Sequence, residues 1–175
     1  MQDLLEILKY TLPALVVFLT AIIMMRYYFK SFVRERDRDL LLQDRKKTLP
    51  MRLQAYERLA LFLERITVDS LVVREQSDEF TAREFHQHLL ASIRAEFEHN
   101  LSQQIYISGD AWQVIRNAKE GTLNMVNKAA LQVNPDGSAL QLSKKIIEIQ
   151  MEAETSPTQV ALEFLRNEVR QLLER

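Results

Sequence analysis

A chain of 175 residues has room for one modest globular domain, since single domains usually run to roughly 100 to 200 residues. Hydrophobic residues make up 47% and charged residues 27%, which excludes wholesale disorder. The absence of cysteine excludes a disulfide scaffold, a thiolate nucleophile and a cysteine-type zinc site, and the net charge of -1 is uninformative about nucleic acid. Glycine and proline number three and four, so the composition favours helix almost throughout.

An apolar run near the N-terminus is typical of a membrane-spanning helix. No residue from Tyr10 to Met25 is charged, and the stretch from Leu4 to Phe29 is long enough to cross a bilayer, which needs roughly 20 residues. We therefore predict a transmembrane anchor over residues 1–30. A buried core helix and a cleaved signal peptide are the alternatives, and the acidic start of the chain argues against the second.

The charges beside this run predict its direction in the membrane. Five basic residues crowd its C-terminal flank, whereas Lys9 and the chain's own amine are the positive charges on the other side. Because basic flanks stay inside, we expect a single-pass protein with its N-terminus outside and its C-terminal domain in the cytoplasm. The basic residues are Arg26, Lys30, Arg34, Arg36 and Arg38.

Beyond the anchor, the pattern predicts a charged stalk over residues 31–47 and a small helical domain over residues 48–175. Thr48-Leu49-Pro50 indicates a new helix start, because proline fits the first turn of a helix and is unfavourable deeper in it. The fold class is therefore all-α, with a multi-helix bundle after the anchor. The first helix of the bundle ends near Arg65, and its apolar face comprises Leu53, Tyr56, Leu59, Ala60, Leu63 and Ile66.

Capping and turn signals divide this domain into short helices. The stretch 67–78 mixes β-branched and polar residues, and it predicts a connection or a single short turn. Gly121 lies inside a predicted helix, where it costs up to about 1 kcal/mol relative to alanine unless close packing makes use of it. The signals are a capping box of Thr81 and Glu84 that begins a helix at Ala82, an N-cap at Ser108, a chain reversal at residues 134–137, and Ser156-Pro157 before the last helix.

Glu96 and His99 are the residues that best fit a chemical role, because Glu-x-x-His places two ligands on one helical face, as in di-iron bundles. That chemistry needs a second such motif and two further glutamates. The other histidines, His86 and His88, lie two residues apart and so point in different directions on a helix. The sequence also lacks a nucleophile elbow, a phosphate-binding loop and a dinucleotide fingerprint. We therefore predict no catalytic, cofactor-binding or metal-binding residues and no enzyme activity.

The apolar helix faces favour protein partners or a homo-oligomer, in addition to a lipid bilayer around the anchor. Trp112 is either an exposed anchor for a partner or part of the core, and a lone tryptophan at an apolar helical position is more often core. Basic residues do not gather with aromatic ones outside the flank of the anchor, so nucleic-acid binding is not expected, and no small-molecule substrate is evident.

Residues 98–108 (EHNLSQQIYIS) and 110–119 (DAWQVIRNAK), with the N-terminal apolar run and its basic flank, resemble an uncharacterised family of small bacterial membrane-anchored proteins. The resemblance covers nearly the whole chain, implies a bacterial inner-membrane setting and brings no activity with it. The layout also resembles the ATP synthase b subunit, but Pro50, residues 134–137 and Pro157 would interrupt its long continuous helix.

The sequence thus predicts a membrane-anchored helical scaffold or interaction subunit of a bacterial inner-membrane assembly, without enzyme activity. The alternative hypothesis is a membrane-tethered metal-dependent or hydrolytic enzyme that uses Glu96 and His99.

Overall fold

The computed structural model describes the backbone of residues 2–174 and the side-chain surroundings of residues 15–29 and 48–174. Within residues 2–174 the chain is helical, with an isolated bridge between Thr81 and Ser138 and no strand, so the predicted all-α class is confirmed. The helices are α1 (Gln2–Arg65), α2 (Val68–Glu75), α3 (Ala82–His99), a 3-10 helix (Leu101–Ile105), α4 (Gly109–Ala130), α5 (Ala139–Glu152) and α6 (Pro157–Glu174).

The helix α1 continues through the point where a new helix start is predicted. It is helical without a break from Gln2 to Arg65, through both Pro13 and Pro50. A proline inside a helix removes one hydrogen bond and costs about 3 kcal/mol, but the helix on each side can still propagate. The predicted restart at Pro50 is therefore wrong, whereas the predicted end near Arg65 is confirmed. The backbone of the predicted stalk, residues 31–47, is helical, and its side chains lie outside the described part of the chain.

The predicted transmembrane helix over residues 1–30 is wrong. Among the residues that the structure describes, none of the helices combines the length and the apolar character that crossing a bilayer requires. The prediction of a single-pass inner-membrane protein with a cytoplasmic C-terminal domain falls with it.

The chain divides into two compact units, Met1–Leu49 and Pro50–Arg175. In the second unit α4 packs against α3, α5 and α6, and α2 packs against α3 and α5, which makes a bundle around one apolar core. The C-terminal part of α1 contributes four of the largest fully buried side chains, at spacings of three and four residues: Leu59, Phe62, Leu63 and Ile66.

A short helix replaces the connection predicted over residues 67–78. Val68, Leu71 and Val72 are buried, and their spacing places them on one face of α2. The β-branched residues weaken the intrinsic preference for helix, but packing of this face against α3 and α5 outweighs that preference.

The capping box and the chain reversal are confirmed. The backbone N–H of Glu84 donates to the Thr81 hydroxyl at 3.3 Å, and the backbone N–H of Thr81 donates to a carboxylate oxygen of Glu84 at 2.9 Å. Ser108 caps α4 by accepting from the N–H of Ala111 at 3.0 Å. In the reversal, the N–H of Gly137 donates to the carbonyl of Asn134 at 2.9 Å.

Gly121 permits the close approach of α4 and α6. A Cβ atom at this position would lie 2.8 Å from Cγ and 2.9 Å from Cβ of Pro157, the first residue of α6. Real carbon atoms of side chains pack about 3.5 to 4.0 Å apart. Close packing therefore explains the glycine inside α4, because the absence of a side chain lets the ring of Pro157 contact the helix backbone.

Candidate interaction surfaces and polar sites

The segment Leu15–Phe29 of α1 is an exposed apolar surface. Each of its side chains is exposed, and among its large hydrophobic residues the exposed fraction ranges from 37% at Ile22 to 78% at Tyr27. All of its side chains except Thr20 and Arg26 are apolar, and because successive residues of a helix point about 100° apart, they cover the whole circumference. Soluble proteins rarely leave a contiguous apolar surface of more than a few hundred Å² in contact with water.

Trp112 belongs to a row of aromatic rings that joins three helices of the bundle. Its ring stacks on Phe97 of α3, with centroids 5.3 Å apart, and Phe97 in turn contacts Phe62 of α1 at 5.9 Å. The ammonium group of Lys119 lies 4.5 Å from the centre of the Phe97 ring, which adds a cation–π contact. Trp112 is half-buried against the core, so of its two sequence interpretations the structure favours core packing.

Glu96 and His99 lie beside an open hollow of about 400 Å³ that Arg65 and Ser92 also line. The Nε atom of Arg65 donates to Oε1 of Glu96 at 2.7 Å, and a second guanidinium nitrogen contacts the same oxygen. This ion pair links α1 to α3 and occupies one oxygen of the Glu96 carboxylate. Within residues 15–29 and 48–174, no three side chains of metal-binding type come together.

His86 and His88 point in different directions, as their spacing predicts. His86 contacts Asn127 of α4, whereas His88 contacts Glu75 at the end of α2. The ring of His88 also packs against Phe80, with centroids 5.3 Å apart. The two histidines therefore take part in separate contacts between helices.

Glu75 is the centre of a polar cluster between α2 and α3. Its carboxylate accepts hydrogen bonds from the side chains of Arg74, His88 and Ser92 at 2.9, 2.7 and 3.0 Å. Partial burial by itself would raise the pKa of the Glu75 carboxyl, but the three hydrogen bonds outweigh burial, so the pKa lies below its ordinary value. The cluster stabilises the ionised carboxylate and holds the end of α2 on α3.

Tyr56 and Glu168 form an incompletely bonded pair between α1 and α6. The Tyr56 hydroxyl and one carboxylate oxygen of Glu168 are both buried, and neither has a hydrogen-bond partner of normal geometry. Burial, followed by the negative charge of Glu168, raises the pKa of Tyr56, while Arg52 opposes the shift. The charge of Glu168 therefore acts on the Tyr56 hydroxyl although no regular hydrogen bond joins the two groups.

A pocket of about 500 Å³ lies between α3, α4 and the loop that joins α4 to α5. His86 and Asn127 join its two helical walls, because Nε2 of His86 lies 2.8 Å from Oδ1 of Asn127. Arg83 stands at the rim, 3.6 Å from the carboxylate of Asp136 in the loop. The apolar lining consists of Ala82, Ala130, Leu131, Val133 and Pro135.

The sequence contains one signal for this pocket. Residues 134–137 predict the chain reversal correctly, but the reversal alone does not indicate that the loop returns to the start of α3. That contact comes from backbone groups, since the N–H groups of Ala82 and Arg83 donate to the carbonyls of Gly137 and Pro135 at 2.8 and 3.0 Å. Backbone pairing at long range leaves no mark in side-chain spacing, so sequence reasoning missed Arg83, Asn127 and Asp136.

Comparison with known proteins identifies a family. Among curated proteins and among solved structures, nothing matches the chain. A family model described as a family of unknown function, DUF7935, matches residues 2–172, which is nearly the whole chain. The predicted resemblance to an uncharacterised family is confirmed at that level, while neither a bacterial origin nor a membrane anchor is shown by the match. The chain belongs to the DUF7935 family of unknown function.

Proposed function

We propose that this protein is a non-enzymatic interaction subunit that inserts the segment Leu15–Phe29 among helices of partner protein chains. The supporting observation is that this apolar segment is exposed around its whole circumference. A helix that is apolar on all sides is stable in water only when it is buried on all sides. One neighbouring helix covers one stripe of such a surface, so the segment needs at least two neighbours. An assembly of several chains supplies them.

The polar residues of the bundle favour an interaction subunit over the enzyme alternative. Glu96, the best candidate from the sequence, is engaged by Arg65, and Glu75 is engaged by three donors. The lowered pKa of Glu75 makes this carboxylate a poor general base, because catalysis at neutral pH needs a pKa that is raised toward 7. The enzyme alternative that uses Glu96 and His99 therefore has weaker support than the interaction subunit.

Site-specific photo-crosslinking tests the proposal in the full-length chain at native abundance. A photoreactive amino acid replaces Met24, which is 76% exposed at the centre of the segment. Leu61 is the matched control, because it is a 57% exposed apolar residue on the same helix, but its turn contributes Leu59, Phe62 and Leu63 to the closed core of the bundle. We expect protein adducts from position 24 and few from position 61, with mass spectrometry identifying the partner or a second copy.

Two outcomes contradict the proposal. Adducts to lipid alone at position 24 would show that lipid, and not a partner protein, surrounds the segment. Equal yields at the two positions would show that random collisions, not a defined interface, produce the signal. Far-ultraviolet circular dichroism of both variants confirms that the helices are intact.

A further inference from the structure

We infer that the pocket between α3, α4 and the loop of residues 131–138 binds a small carboxylic acid with an apolar body. This site goes beyond the proposed function, because it lies within the unit Pro50–Arg175 and involves none of the residues of Leu15–Phe29. Its volume of about 500 Å³ lies within the range of small-molecule sites, roughly 300 to 1,000 Å³. Such sites combine apolar walls with a few polar groups that orient the ligand.

The loop wall of the pocket is fixed before any ligand arrives. The first two N–H groups of α3 donate to the carbonyls of Gly137 and Pro135, and Ala139 N–H donates to the carbonyl of Phe80 at 3.1 Å. Opening the loop would leave these backbone groups without partners, which is unfavourable for each one that stays buried. A ligand therefore meets a formed wall and does not have to order it.

The two helical walls are also tied together. Nε2 of His86 lies 2.8 Å from Oδ1 of Asn127, which is hydrogen-bonding distance. This hydrogen bond connects α3 to α4 across the pocket. The α3 amides themselves are not an anion site, because the N–H groups of Ala82 and Arg83 donate to the loop and that of Glu84 donates to Thr81.

The charge at the rim selects the ligand. Arg83 is an exposed side chain with five N–H donors, and its contact with Asp136 at 3.6 Å is too long for a hydrogen bond. Its donors are thus available to a carboxylate, which arginine recognises with two parallel hydrogen bonds. Leu131, 88% exposed, and Val133 offer apolar surface next to this charge. An apolar body with one carboxylate matches both features.

The test measures binding of two matched probes, 4-phenylbutyrate and its uncharged amide, to the full-length chain. Chemical shifts of the Asn127 side-chain amide and the Leu131 methyl groups report occupancy of this pocket, and they separate it from adsorption to the apolar segment of α1. We expect the carboxylate to bind about fivefold more tightly than the amide, which is the size of one exposed ion pair. Arg83→Gln should remove this preference, and Ala130→Phe should abolish binding of both probes.

Asp136→Asn provides a variant that should gain affinity. It removes the negative charge that competes for Arg83, so carboxylate binding should strengthen by about twofold to fivefold while amide binding stays constant. Equal affinity for acid and amide would overturn the carboxylate assignment. Absence of shifts at both reporters, or binding that survives Ala130→Phe, would overturn the pocket itself. Neither result bears on crosslinking at Met24, so the two proposals fail separately.

Discussion

Replacing Gly121 by alanine tests whether α4 and α6 depend on contact between backbone and ring. In an exposed helix interior this substitution stabilises by up to about 1 kcal/mol, because glycine has the higher backbone entropy in the unfolded chain. Here the new methyl group would lie 2.8 and 2.9 Å from two carbons of Pro157, so the helices must separate by nearly 1 Å to reach ordinary contact. Overpacking of this kind costs about 1 to 3 kcal/mol. The net expectation is a destabilisation of about 1 kcal/mol.

Gly109 is the matched control, because a Cβ atom built there meets no heavy atom within 4 Å. Gly109→Ala should change the free energy of unfolding by less than about 0.5 kcal/mol, as exposed substitutions usually do. Urea denaturation followed by circular dichroism measures both variants and their midpoints. Pro157→Ala in the Gly121→Ala background should recover part of the loss, so a double-mutant cycle should give a clear coupling energy. A Gly121→Ala protein as stable as the unaltered chain, or zero coupling with Pro157, would refute the reasoning.

Further substitutions test the cap and the polar contacts between helices. Thr81→Ala should cost about 1 kcal/mol through loss of the N-cap, whereas Thr81→Ser should retain most of the stability; equal urea midpoints for the two would contradict the capping role. Folding lowers the pKa of Glu75 and of Glu84 below 4.5, and for Glu84 the cause is the hydrogen bonds from Thr81. Each ionised carboxylate therefore stabilises the fold above pH 4.5, and this stabilisation is lost as the pH falls through the lower pKa of the folded state. Stability curves from about pH 6 to 3 should therefore be flatter for Glu75→Gln and for Glu84→Gln, and an unchanged slope would show that the hydrogen bonds are absent in solution. Tyr56→Phe should leave stability unchanged or raise it by up to about 1 kcal/mol, because it removes a buried hydroxyl without a regular partner; a clear loss of stability would show that the hydroxyl is bonded.

Local signals in the sequence predict most helix boundaries of the bundle. Thr81, Ser108 and Ser156 each precede a helix that begins where the local signal predicts, because a cap acts within three residues of the chain. The predicted turn at residues 134–137 is present for the same reason. Signals of this range need no knowledge of the rest of the fold.

The errors arise where the outcome depends on more than the local residue pattern. Helix α2 forms because Leu71 and Val72 pack against α3 and α5, which no pattern within residues 67–78 reveals. The proline at position 50 marks a helix start in isolation, but it sits within a helix that continues on both sides. The ion pair of Arg65 with Glu96 spans 31 residues of sequence, so the candidate Glu96 could be judged only once its partner was known.

The same backbone contacts that sequence reasoning missed connect the stability of the bundle to the shape of its pocket. The loop of residues 131–138 is held by the N–H groups of Ala82 and Arg83, and those groups are in place only when the capping box begins α3 at Ala82. A change that frays the start of α3, such as Thr81→Ala, therefore loosens the loop wall and lowers the availability of a formed pocket. Ligand binding should in turn stabilise the start of α3, since a ligand that binds the folded pocket alone shifts the folding equilibrium toward it.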